Sequence, residues 1–376
     1  MIKKCKKLLF IFGTRPEAIK MAPLIQEAKN HPKNFEVIIC VTGQHKEMLD
    51  QVLDFFKIQP DFNLNLMRPN QDISDVTSIG LAALKPVMQK VQPDIVLVQG
   101  DTTSAFIGAL AGFYQKCKVA HIEAGLRSGD KQSPYPEETY RTLVGHIADY
   151  HFAPTDLSKE NINKENIKDH VYVVGNTVID ALFLGLNLIK NSNEGPYMRH
   201  FNFLDFNKKI ILITGHRREN FGKPMQDTCT AFKTLAFKYP EVQFVYPVHL
   251  NPNVQEIVKP MLSDIKNFFL IEPLEYPSII WLMEKSYLII TDSGGLQEEA
   301  PSLGKPVLVT REVTERVEGI DAGTAKLVGT NTETIITETQ KLLEDSDYYE
   351  SISTTINPYG DGKSSKYIID VLSKVS

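Results

Sequence analysis

The feature that most constrains the fold of this chain is the regular alternation of short, β-branched apolar runs with longer amphipathic stretches, the runs bounded by Gly, Asp or Pro. A buried run that ends at a turn and leads into a helix-period stretch is the pattern of a βαβ unit. Repeated, it builds a parallel sheet covered by helices on both faces. In the first half the strands read as Lys7–Phe12, Phe35–Val41, Asp94–Gln99, Lys118–Ile122, Tyr150–Ala153 and Val171–Val174. Helices fall between most of them, for example at Glu17–Asn30, Lys46–Phe56, Ile73–Lys90 and Ser104–Tyr114. The second half repeats the grammar with strands at Ile210–Thr214, Val242–Val248, Phe268–Ile271, Tyr287–Thr291 and Pro306–Thr310.

Two Rossmann-like, doubly wound α/β domains with parallel sheets follow, at residues 1–180 and 181–359, with a helix at about 360–376 that can return to the first domain. The polar stretch Asn191–Asn207, with its Asn, Ser, Gly and Pro, reads as an irregular joint. A length of 376 residues with 42% hydrophobic content is enough for two cores. A net charge of -5 argues against a nucleic-acid surface, which needs a basic face. No apolar run reaches the roughly 20 residues of a membrane span. The four cysteines, Cys5, Cys40, Cys117 and Cys229, are scattered without C-x-x-C spacing and read as reduced thiols of a cytoplasmic protein.

Chemistry concentrates at the ends of the strands. Between Asp101 and Arg141 three carboxylates lie at or beside strand-to-helix junctions: Asp101 after D-I-V-L-V-Q-G, Glu123 in H-I-E-A-G-L-R and Glu137 in P-Y-P-E-E. Together they suggest proton transfer, although Asp101 could cap a helix and Glu137 could simply sit in a first turn after Pro136. The halves echo each other in F-I-F-G-T-R-P-E and I-L-I-T-G-H-R-R-E-N, each a strand ending in a Gly turn with an arginine. Open α/β sheets bind ligands at this edge. Arg15 and Lys20 flank the first turn, and His216 and Arg217 follow the second. T-D-S-G-G before L-Q-E-E-A offers Ser293, Gly294 and Gly295 as an anion cradle at a helix start, with Glu299 a turn later to accept from a ribose diol. The cradle matches neither the Walker loop nor G-x-G-x-x-G, so no ATPase or nicotinamide enzyme is indicated. No Cys/His spacing fits a metal site, and no cofactor is expected.

Taken together, G-T-R-P-E-A-I-K-M-A-P, T-G-Q-H, Q-G-D-T-T-S, H-I-E-A-G-L-R-S, P-Y-P-E-E, G-N-T-V-I-D, T-G-H-R-R-E-N, P-V-H-L-N-P, D-S-G-G-L-Q-E-E-A-P-S-L-G-K-P and N-P-Y-G-D-G resemble the non-hydrolysing UDP-N-acetylglucosamine 2-epimerases over nearly the whole length. The resemblance implies a GT-B-like arrangement with the site in an interdomain cleft, and a homodimer. It also implies interconversion of UDP-GlcNAc and UDP-ManNAc by anti elimination of UDP to 2-acetamidoglucal and re-addition, for cell-surface polysaccharide precursors. Carried over by position, Asp101, Glu123 and Glu137 resemble the acid/base carboxylates and His216 the group supporting the leaving diphosphate. Arg15, Lys20, Arg141, Ser293, Gly294, Gly295, Glu299 and Arg316 resemble the UDP and sugar ligands.

The chain departs from the family pattern in places. Where members often carry a Phe that packs on the uracil, this chain has Ile279, a loss worth about 1 kcal/mol of aromatic contact. Many bacterial members bind a second UDP-GlcNAc as activator. Gln44, Arg217 and His249 match that site, but Lys46, Glu47 and Asn70 do not, which implies weak or absent activation by substrate. The alternatives are a 2-epimerase of a related UDP-linked amino sugar, a GT-B glycosyltransferase and a silent nucleotide-sugar sensor.

Overall fold

The computed structural model describes residues 5–43, 46–68 and 71–375, without the side chains of 46 and 47. The chain divides into two compact units, residues 1–184 with 359–376 and residues 185–358.

The first unit alternates β1 (Lys6–Phe12), α1 (Arg15–Lys29), β2 (Phe35–Val41), α2 (Lys46–Phe55), β3 (Phe62–Asn63), α3 (Ile73–Val91), β4 (Ile95–Gln99), α4 (Thr103–Tyr114), β5 (Lys118–Ile122), α5 (Glu137–Ile147), β6 (Tyr150–Ala153), α6 (Asp156–Lys164) and β7 (Val171–Val173). Helix α7 (Thr177–Ser192) carries the chain across the boundary. The second unit continues with α8 (Gly195–His200), β8 (Ile210–Thr214), α9 (Lys223–Lys238), β9 (Gln243–Pro247), α10 (Pro252–Leu262), β10 (Phe268–Ile271), α11 (Tyr276–Lys285), β11 (Leu288–Thr291), α12 (Gly294–Glu299), β12 (Val307–Val309), α13 (Val317–Asp321), β13 (Ala325–Leu327), α14 (Thr332–Glu344) and α15 (Ser346–Ser353). A final helix, α16 (Ser364–Lys374), belongs to the first unit.

Both sheets are parallel and share one strand order over six strands, the first adding β7 at its edge. The first runs β3-β2-β1-β4-β5-β6-β7 and the second β10-β9-β8-β11-β12-β13. Each therefore reverses direction once, between β1 and β4 and between β8 and β11, and these are the switch points where crevices open beyond the strand ends. The strands are buried because both faces are covered: Leu8 to Phe12 and Ile210 to Ile213 are at most 1% exposed.

The C-terminal return is held by short polar contacts. Asn176 N–H donates to Tyr359 O at 2.7 Å, and the Asp180 carboxylate on α7 caps α16 by accepting from Ser364 N (3.1 Å) and Ser365 N (2.7 Å). Gly175 and Gly360 are required here, since a Cβ on Gly175 would lie 3.1 Å from Gly360 Cα. Lys6 Nζ then donates to Leu372 O at 2.9 Å, and α16 packs on α1.

Two readings of the sequence need correction. The polar stretch Asn191–Asn207 is not an irregular joint: α7 runs on to Ser192 and α8 forms inside the stretch. Its Phe201 stacks on Trp281 at 5.4 Å and 7°, so aromatic packing overrides the loop-like composition. Strands β3 and β13 went unread because they are two and three residues long, too short for a periodic signal.

Candidate active site

In the first unit the candidates gather at the ends of β1, β4 and β5. Gly13 ends β1 because a Cβ there would fall 1.8 Å from Thr42 Oγ1. Thr14 then caps α1, while the fully buried Glu17 turns back to accept from Gly13 N (2.9 Å) and Thr14 N (2.7 Å), a capping box. Burial pulls the Arg15 guanidinium below the usual arginine value, and among the described residues no carboxylate pairs with it. A half-buried cation of this kind suits an anionic ligand.

Lys20, one turn further on, does not stand free. Its Nζ donates to both oxygens of Glu123 at 2.6 Å. Glu123 also accepts from Gln99 Nε2 and from Asn176 Nδ2, the latter at 2.9 Å. The residue is 7% exposed and its backbone lies in the left-handed region at φ 62. Such a conformation costs a non-glycine residue on the order of 1–3 kcal/mol and persists where the surroundings impose it. Here they do: Gly125, at φ 94, leaves no room for a Cβ against Ser158 O (2.1 Å), and Asn161 Nδ2 donates to Gly125 O at 3.1 Å. Of the Glu123 donors Lys20, Gln99 and Asn176, the first is cationic.

Asp101 follows β4 but does not cap α4; Thr102 does, accepting from Ala105 N at 3.0 Å. Asp101 instead accepts from Arg141 Nε at 2.8 Å, and Arg141 Nη1 donates to Glu138 Oε2 at 3.0 Å. Burial opposes the charge of Glu138, but Ser128 N, Gly129 N and Arg141 outweigh it and lower its pKa. Glu137 begins α5, and its Oε2 is buried without a hydrogen-bond partner among the described residues. The sequence thus marked Glu137 as reactive and overlooked Glu138, which organises the loop.

In the second unit the candidates cluster at the ends of β8 and β11. Asp292, fully buried after β11, accepts at Oδ2 from His216 N (2.9 Å), Arg217 N (2.8 Å) and Asn220 Nδ2 (3.3 Å). His216 is 43% exposed, and its ring stacks on His249 at 5.7 Å and 19°. Ser293 precedes α12 and makes no side-chain cap, and Gly294 and Gly295 open the helix with exposed backbone at Gly295. Glu299, 7% exposed, accepts from Tyr276 OH at 3.1 Å. Burial, with Glu299 beside it, pushes the Tyr276 phenol well above its usual value and keeps it a donor.

Arg316 Nε donates to Glu298, and Arg311 bridges Glu219 (2.7 Å) and Glu315 (2.8 Å). Burial opposes the charge of Glu315, but Arg316 and Arg311 hold its carboxyl down at about 2. Arg217 lies 3.9 Å from Glu315, and Ile279 is half-buried on α11. Gln44 and Asn70 lie outside the described residues, as does the side chain of Glu47. Among the described residues no cluster of three or more His, Cys, Asp or Glu is arranged to hold a metal ion, and no helix is long and apolar enough to cross a membrane.

The residues that sequence reading missed are partners of those it found. Gln99, Asn176 and Asp292 lie inside the quoted motifs and Tyr276 lies on α11 just before Ile279, but their partners are distant in sequence.

Two parallel α/β units, each gathering charged groups at the carboxyl edge of its sheet, define a doubly wound α/β enzyme. The profile of the family described as UDP-N-acetylglucosamine 2-epimerase matches residues 26–373, and the chain belongs to that family. A UDP-N-acetylglucosamine 2-epimerase of Campylobacter jejuni is 53% identical over 377 residues, covering 98% of each chain. Among solved structures, the UDP-GlcNAc 2-epimerase of Neisseria meningitidis bound to UDP-GlcNAc is 49% identical with a TM-score of 0.90, covering 98% of this chain and 100% of its own. The Methanocaldococcus jannaschii UDP-GlcNAc 2-epimerase in complex with UDP-GlcNAc and UDP aligns at 33% identity and a TM-score of 0.80, covering 98% of this chain and 100% of its own.

Proposed function

We propose that this enzyme interconverts UDP-GlcNAc and UDP-ManNAc without net hydrolysis. The observation that carries the reading is Glu123, held on a left-handed backbone by Lys20, Gln99 and Asn176 in a chain whose full-length relatives include one bound to UDP-GlcNAc. A carboxylate takes the proton from C2 of the sugar while the C1–O bond to UDP breaks and its electrons leave with the diphosphate. The product of this anti elimination is 2-acetamidoglucal. Re-addition of UDP at C1 and delivery of a proton to the opposite face of C2 give the epimer.

Asp101, Glu123 and Glu137 supply the acid/base groups of this cycle. His216 supports the departing diphosphate, whose charge Arg15 and the backbone of Ser293, Gly294 and Gly295 also stabilise. Glu299 accepts from the ribose hydroxyls, Ile279 packs on the base, and Arg316 adds positive charge on the UDP side. Lys20 and Arg141 already answer Glu123 and Asp101, so we assign them first to holding those carboxylates and only through them to the sugar. We further infer a cytoplasmic homodimer, whose oligomeric state sedimentation velocity reads directly.

Incubation with UDP-GlcNAc in heavy water tests the chemistry. Deuterium should enter C2 as UDP-ManNAc appears, with no acceptor present. Turnover without exchange at C2, or exchange only when an acceptor is added, would overturn the reading.

A further inference from the structure

The proposed function leaves the best-buried carboxylate of the second unit without a task. Asp292 and His216 lie on opposite sides of the β8–β11 switch point, where Thr214 is in register with Thr291. Asp292 is fixed: its Oδ2 accepts the His216 and Arg217 backbone N–H groups and Asn220 Nδ2, and Asn220 is itself anchored by donating to Thr310 O at 3.0 Å. The other oxygen is different. Asp292 Oδ1 is buried without a hydrogen bond among the described residues, yet it lies 3.4 Å from Nδ1 of the His216 imidazole.

We propose that Asp292 is a positioning residue that holds His216 in the tautomer protonated on Nδ1, keeping Nε2 for the diphosphate. The inference rests on the role given above to His216. A lone pair on Nδ1 would face an anionic oxygen in a buried setting, which is repulsive, whereas an N–H there gives Oδ1 the donor it lacks. At 3.4 Å the pair is longer than a formed hydrogen bond, and a small ring rotation closes it, a common state of catalytic contacts before substrate binds. The stacked His249 ring limits tilting, so His216 turns mainly in its own plane. When His216 takes a proton, the same carboxylate stabilises the imidazolium, the service an aspartate gives the histidine of a hydrolase triad. Among the described residues the charged or titratable groups near the ring include Asp292 and His249, with Arg217 next in the chain.

The test is a 15N spectrum of the full chain labelled at histidine, with the His216 signal identified by its loss in His216→Gln. The wild type should show Nδ1 protonated and Nε2 bare. Asp292→Asn keeps a carbonyl oxygen for the backbone donors but turns an amide NH2 toward Nδ1. It should therefore switch the tautomer and lower kcat on the order of 10²-fold with little change in KM or UDP binding. A wild-type ring protonated on Nε2 overturns the proposal. So does a folded, UDP-binding Asp292→Asn whose kcat stays within about threefold of wild type. If that variant does not fold, the wild-type spectrum decides alone. Unchanged turnover in His216→Gln would instead remove His216 from the proposed function while leaving the tautomer measurement intact.

Discussion

Each unit closes its switch point with one buried carboxylate, but the two come from opposite sides. In the first unit Glu17 follows β1 and turns back on its own turn, accepting from Gly13 N and Thr14 N, while Thr102 Oγ1 from beyond β4 donates to its second oxygen at 2.6 Å. Both oxygens are satisfied, and the carboxylate is a structural staple. In the second unit Asp292 comes from beyond β11 and reaches across to the β8 turn, leaving one oxygen beside His216. One strand order thus gives two outcomes. The first unit places Glu123, the carboxylate proposed above as an acid/base group, one strand further along, and the second builds its histidine at the switch point itself.

The sharpest way to break this comparison is to neutralise each first-unit carboxylate in turn. Glu123→Gln should lower kcat on the order of 10³-fold while the protein stays folded, as expected for loss of an acid/base group. Glu17→Gln should keep kcat within about tenfold and instead cost about 1–2 kcal/mol of stability in urea unfolding, through the weakened capping box. A Glu17 variant that is stable but inactive would move the chemistry of the first unit to its switch point.

A smaller effect compares the glycines that end β1 and β8. Gly13→Ala drives a Cβ to 1.8 Å from Thr42 Oγ1 and 2.4 Å from Ser104 Oγ, so it should cost about 3 kcal/mol. Gly215→Ala has one close approach, to the Tyr246 hydroxyl at 2.8 Å, and should cost about 1 kcal/mol. Urea midpoints measure both, and equal losses would mean the two turns are packed alike.

A last contrast is in acid. Burial pushes His121 down to about 3 and His151 to about 4, and both belong to the first unit. Below the ordinary histidine value of about 6.5 the unfolded chain takes up protons these rings refuse, so stability falls as pH drops through that window. Glu315, in the second unit, is held at about 2, so its contribution is present above about 4.5 and is lost as pH falls toward 2. His121→Gln should flatten the loss of stability between pH 6.5 and 4, and Glu315→Gln should flatten only the more acid end. Urea midpoints across pH read the slopes, and identical slopes in both variants would break the assignment.

Much of the architecture was legible because the βαβ signal is local. Strands Phe35–Val41, Lys118–Ile122 and Ile210–Thr214 have the bounds read from their β-branched runs. Where tertiary packing carries the signal, composition misleads, as it did over Asn191–Asn207, where Trp281 organises what looked like a loop. The site follows the same division. Glu123 and His216 stood out as polar residues at strand ends, but Asp292 and Asn176 appeared only inside longer motifs, because the groups they meet are distant in sequence.

What the sequence determined by itself was the alternation that forces two parallel sheets, and the placing of carboxylates, histidine and arginines at their carboxyl ends. These follow from local periodicity and turn chemistry. Only the tertiary structure decided which of those groups meet. Lys20 reaches Glu123 across 103 residues and Asp292 reaches His216 across 76, and each contact exists because of strand order. The reversal between β8 and β11 makes distant turns neighbours, and burial there lets a single carboxylate set the orientation of a backbone and of a ring.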